Sequence, residues 1–127
     1  MSIEVSRRAV LGGAVAMGAL AAGCNAADPS DALGDLDATG VAARVASGEI
    51  TAAEALEAAI ARSARVNGEL NFVAADLADY GRARAAETLS GPFAGVPTLI
   101  KDLLAMTGQP TRYGSRAFAN NVPDQQP

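Results

Sequence analysis

The chain has 127 residues, with ten Lys and Arg against fourteen Asp and Glu, no histidine, no tryptophan and one cysteine, so it is too short for a multidomain protein. One thiol without any imidazole builds neither a Cys/His zinc site nor a Ser-His-Asp or Cys-His nucleophile, and closes no intrachain disulfide. The net charge of −4 supplies no basic stripe for nucleic acid, and an alanine-rich, half-apolar composition with 4% aromatics favours helices around a thin core.

The N-terminal segment, residues 1–23, reads as an export signal. Arg7-Arg8 precede a polar-free stretch from Ala9 to Ala22, which is shorter than the roughly 20 residues that a bilayer core demands. Ser6-Arg7-Arg8-Ala9-Val10-Leu11 resembles the twin-arginine pattern, Ser-Arg-Arg-x-hydrophobic-Leu. That resemblance implies the twin-arginine export machinery as a partner and the periplasm or cell envelope as the destination. The alternative is a fortuitous arginine pair ahead of an alanine-rich helix.

Leu20-Ala21-Ala22-Gly23-Cys24 resembles a bacterial lipobox, with Ala21 where leucine is usual. Lipid on Cys24 would consume the lone thiol and anchor the chain to a membrane; ordinary cleavage near Ala26-Ala27 would leave it soluble. Residues 24–35, with Asp28-Pro29-Ser30-Asp31, read as a flexible tether. Without Glu4, Arg7 and Arg8 the remainder carries eight positive and thirteen negative charges.

Asp37-Ala38-Thr39 can cap a short helix running through Val41 and Val45 and stopping at Ser47-Gly48. Thr51-Ala52-Ala53-Glu54 has capping-box spacing. The helix behind it carries Leu56, Ala59, Ile60 and Ser63 on one face, with Glu54 and Glu57 early and Arg62 and Arg65 late, in agreement with the macrodipole. Asn67-Gly68 should end it, and its charges read as a solvated face. Leu70 to Ala74 is a brief strand candidate, and Leu77 to Leu89 a further helix weakened by Gly81.

At Ser90 the texture changes. Gly91-Pro92-Phe93-Ala94-Gly95-Val96-Pro97 leads into Thr98-Leu99-Ile100-Lys101-Asp102-Leu103-Leu104. Pro97 suits a strand entrance, so the apolar run predicts a central strand from about Thr98, covered on both faces. From Gly108 onward the chain is rich in turn residues.

Lys101 is the only lysine, against nine arginines. An ammonium in a dry apolar site can give up its proton and become a general base, which a guanidinium cannot do. The competing reading is a solvent-facing lysine paired with Asp102.

The run Gly91 to Asp102, followed by Gly108-Gln109-Pro110-Thr111-Arg112-Tyr113-Gly114-Ser115, resembles the N-terminal part of the amidase signature family. Its members often read G-P-L-x-G-V-P-x-x-x-K-D and then G-x-x-T-x-x-G-S. The helices over residues 47–73 are similar to that family's opening helix pair, and the likeness extends over about residues 36–127.

The resemblance implies an α/β fold, a mixed central sheet covered by helices, of which residues 36–127 form the N-terminal part of the catalytic domain. It implies hydrolysis of non-peptide C–N bonds in small-molecule amides by a Ser, cis-Ser, Lys triad, with Lys101 as the general base and no metal or organic cofactor. Asp102 is expected to hold backbone, Gly95 and Pro97 to shape the approach to the strand, and Ser115 to be a loop or cap residue.

Ser30, Ser47, Ser63, Ser90 and Ser115 stand in no Gly-Gly-Ser-Ser context. The expectation is therefore the leading part of a longer enzyme or a truncated product, inactive alone. Its thin core and the apolar run around Lys101 predict an open edge prone to self-association. The alternative is a small, lipid-anchored envelope module of binding or structural role, without catalysis.

Overall fold

The computed structural model describes residues 31–125. Arg7, Arg8, Cys24, the whole export segment and residues 24–30 of the expected tether lie outside the described residues. Three helices follow in order: α1 (Ala38–Ser47), α2 (Ala52–Leu70) and α3 (Ala78–Ala85), with a 3-10 turn at Arg116–Phe118.

Local chemistry sets the ends of α1 and α2. The Asp37 carboxylate accepts the Gly40 N–H at 2.8 Å, and Gly48 closes α1 in the left-handed region at φ 75°. Thr51 and Glu54 form the expected capping box: Glu54 N–H donates to Thr51 Oγ1 at 3.1 Å, and Thr51 N–H donates to Glu54 Oε2 at 2.8 Å. These bonds satisfy donors that the first turn leaves without intrahelical partners. They also hold the Glu54 carboxyl below its ordinary pKa, through the Thr51 N–H first and the hydroxyl second.

Helix α2 runs past Asn67-Gly68 to Leu70 and ends on Asn71 in the left-handed region, at φ 48°. The Asn67 side chain accepts the Val73 N–H at 2.9 Å instead of stopping the helix. The strand expected at residues 70–74 is thus helix end, cap and irregular chain. Helix α3 is shorter than residues 77–89. Its Gly81 lies against Leu56 of α2, where a Cβ would stand 3.3 Å from both Leu56 methyls. Arg82 locks the pair by donating to Glu57 at 2.7 and 3.1 Å, which lowers the Glu57 pKa and raises that of Arg82.

Residues 31–35, the end of the expected tether, form a docked turn. Leu33 is buried with Val41 and Ala55 in a small core, against which Val45, Ile50, Ala58, Ala59 and Val96 pack. Arg62 of α2 donates to Asp31 at 2.5 Å and to the Gly34 carbonyl. Two of the charges read as a solvated face, Glu57 and Arg62, therefore join elements.

The strand expected from Thr98 does not form, and among the described residues there is no strand at all, so the mixed sheet is not seen in this part of the fold. Residues 96–101 are irregular, and Lys101 to Leu104 make a turn in which the Lys101 carbonyl accepts the N–H groups of Leu103 and Leu104 at 2.7 and 3.0 Å. A strand exists through its ladder, and no described segment lies alongside this run to form one. Its apolar side chains stay in solvent, with Leu99 69% exposed and Leu103 and Leu104 each 59% exposed.

Candidate active site

The approach to Lys101 is built from Gly95 outward. Gly95 has φ 80°, and a Cβ there would lie 2.8 Å from Val45 Cγ1 and 3.0 Å from Ala52 Cβ. Only glycine accepts both the conformation and the closeness. Val96, the next residue, packs onto the core beside α1 and α2. The chain thus leaves a fixed point at Gly95-Val96 and reaches Lys101 five residues later.

Lys101 is exposed, and the flanking Leu99, Ile100, Leu103 and Leu104 are exposed with it. The dry surroundings that a neutral amine needs are not formed by residues 31–125. Two shallow clefts, of about 340 and 310 Å³, border α2 and the junction of α1 with residues 89–95. Lys101 lines neither.

Asp102 is tied down instead of being paired with Lys101. Its Oδ1 accepts the Arg112 N–H at 2.8 Å, and its Oδ2 accepts the Gly114 N–H at 3.2 Å. Between these donors Tyr113 holds φ 52°, unusual for a residue with a side chain. Its ring meets Phe118 edge to face at 5.3 Å. Arg112 also donates from Nη1 to the Ala74 carbonyl at 3.1 Å, fastening this turn to the chain beyond α2.

Hydrogen bonds hold the Gly108 to Ser115 block. Gly108 N–H donates to the Pro123 carbonyl at 2.8 Å, and Thr111 N–H donates to the Asn121 carbonyl at 3.1 Å. The Asn121 amide returns a bond to the Thr111 carbonyl at 2.8 Å, and Thr111 is 2% exposed. Ser115 caps the 3-10 turn by accepting the Ala117 N–H at 3.2 Å. The roles of Thr111, Arg112 and Asn121 carry no local sequence signal, since the bonds they make reach 10 to 38 residues along the chain.

Among the described residues no group of three or more His, Cys, Asp or Glu side chains could hold a metal, and no described helix is long and apolar enough to cross a membrane. What the arrangement presents is a single amine on a turn whose neighbour is clamped to a second turn, reached from a glycine wedged against two helices.

The fixed glycine approach and the clamped Lys-Asp turn both lie within a segment that matches a known family. The amidase family model matches residues 54–126, more than half of the chain, and the chain belongs to that family. AmiC of Mycobacterium leprae, which carries an amidase name, is 46% identical over 88 residues, covering 69% of this chain and 19% of the relative. The 6-aminohexanoate-cyclic-dimer hydrolase of Paenarthrobacter ureafaciens is 51% identical over 71 residues, covering 56% and 14%. The acylamidase of Rhodococcus erythropolis is 39% identical over 95 residues, covering 68% and 20%. The chain spans about a fifth of the length of the curated relatives it matches.

Proposed function

We propose that the chain is the N-terminal portion of an exported hydrolase of small-molecule amides, and that it contributes the general base, Lys101, of a Ser, cis-Ser, Lys triad. The observation that carries this reading is the G-V-P-x-x-x-K-D run, Gly95 to Asp102, inside the amidase match. In that run the sole lysine of the chain follows a glycine whose left-handed backbone and close packing on Val45 and Ala52 leave no room for a Cβ.

In the proposed chemistry the Lys101 amine accepts a proton through a bridging serine. The nucleophilic serine oxygen then attacks the amide carbon, the C–N bond breaks as the proton passes to the departing nitrogen, and water hydrolyses the resulting acyl-enzyme to free the serine. A hydroxyl is a weak nucleophile until a base takes its proton, and a desolvated amine serves without any histidine. The two serines and the oxyanion donors are assigned to further polypeptide, because no serine of this chain lies in a Gly/Ser-rich segment. That polypeptide would also cover Leu99, Ile100, Leu103 and Leu104, removing water from around the amine.

The acylamidase and cyclic-dimer-hydrolase names of two relatives favour a small-molecule amide as substrate. Arg7-Arg8 would direct export to the periplasm or envelope by the twin-arginine machinery, and lipid on Cys24 would anchor the product there; the intact mass of the mature protein reads that lipid directly. The purified chain assayed against simple amides tests the division of labour. No turnover is expected, and turnover abolished by Lys101→Ala would show that the chain needs no outside serines.

A further inference from the structure

We propose that Asp102 is a positioning residue for Lys101: its carboxylate, held by the two N–H groups on either side of Tyr113, fixes the turn that carries the lysine. The proposal rests on the reading of Lys101 as the base, but it concerns how that side chain is held and is tested without turnover.

Arg112 and Gly114 direct their N–H groups at separate oxygens of one carboxylate, at 2.8 and 3.2 Å. Successive backbone N–H groups around a left-handed residue make an anion-binding concavity, and here φ is 52° at Tyr113 and 65° at Gly114. Asp102 fills that concavity, and accepting both donors offsets the left-handed backbone at Tyr113.

The same carboxylate sits one residue beyond Lys101, inside the turn closed by Leu103 and Leu104 N–H donating to the Lys101 carbonyl. The far side of the clamp is anchored in its own right. Arg112 reaches the Ala74 carbonyl at 3.1 Å, and Thr111, buried beside it, exchanges bonds with Asn121. A chain of fixed groups therefore runs from Ala74, beyond α2, through Arg112 and Asp102 to the Lys101 backbone. Without Asp102, the 101–104 turn keeps only its internal bonds on an exposed apolar segment.

Amide hydrogen exchange of the full chain, read by NMR at Arg112, Gly114 and Leu104, tests this. Asp102→Ala should speed exchange at least tenfold at Arg112 and Gly114, and also at Leu104, whose own acceptor is untouched. Asp102→Asn keeps one acceptor oxygen and should rescue Leu104 partly while releasing one of the other two amides. Faster exchange at Arg112 and Gly114 with Leu104 unchanged would overturn the proposal, since Asp102 would then hold only the second turn. No change at any of the three would overturn it as well. If Asp102→Ala fails to fold, Asp102→Asn against the parent chain decides: one released amide with a faster Leu104 supports the proposal, and an unchanged Leu104 overturns it.

Discussion

Gly95 and Val45 meet so closely that a Cβ on Gly95 would lie 2.8 Å from Val45 Cγ1. The contact sets the point from which the chain departs toward Lys101. Gly95→Ala adds a left-handed penalty and a clash with two helices, and should cost about 2 to 4 kcal/mol. Chemical denaturation checks the value. Pairing it with Val45→Ala should recover part of the loss, because the clash with α1 is relieved while the contact with Ala52 and the backbone penalty stay.

Acid should loosen the N-terminal turn. The Asp31 side chain is 6% exposed. Burial works against its charged form, but bonds from Arg62 and the Leu33 N–H, with the charges of Arg62 and Arg65, prevail and hold its pKa below the ordinary value. A lowered folded-state pKa contributes stability above the unfolded-state pKa, and that contribution is lost as pH falls through the folded-state one. Denaturation midpoints measured from neutral pH down through the acid range should fall, and Asp31→Asn should lower the neutral midpoint and flatten the acid limb.

The capping box should be measurable on its own. Thr51→Ala removes the acceptor for the Glu54 N–H and is expected to lower stability by about 1 kcal/mol. Thr51→Ser keeps that acceptor and should stay within a few tenths of the parent, as thermal melts followed by circular dichroism would record.

These cases mark where the sequence could be read and where it could not. Asp37, Gly48 and the Thr51/Glu54 box act within four residues, so local chemistry names them. Gly95, Lys101 and Asp102 came from a motif; Asp102 holds backbone as that motif implies, while its partners ten and twelve residues away, Arg112 and Gly114, were not legible. The strand at residues 98–104 failed because strand pairing is a property of two segments, and composition at one of them cannot supply the other. Arg62 and Glu57 look like solvated charges in a helix pattern, yet their partners Asp31 and Arg82 lie 31 and 25 residues away. Gly81 reads as a helix weakness, whereas its missing side chain is what admits Leu56.

The exposed apolar run should make the chain associate with itself. Leu99, Leu103 and Leu104 together present a surface that favours burial. Leu99→Asp combined with Leu103→Asp should shift the sedimentation profile toward monomer and leave helix content unchanged, because none of these side chains belongs to the buried core.

Amide turnover by a hybrid tests the central assignment most directly. Residues 36–125 would replace the corresponding part of the Rhodococcus acylamidase, which this chain matches at 39% identity. The hybrid should hydrolyse amides and Lys101→Arg should abolish that turnover, since a guanidinium cannot act as the base. Hydrolysis that persists undiminished in Lys101→Arg would contradict that assignment.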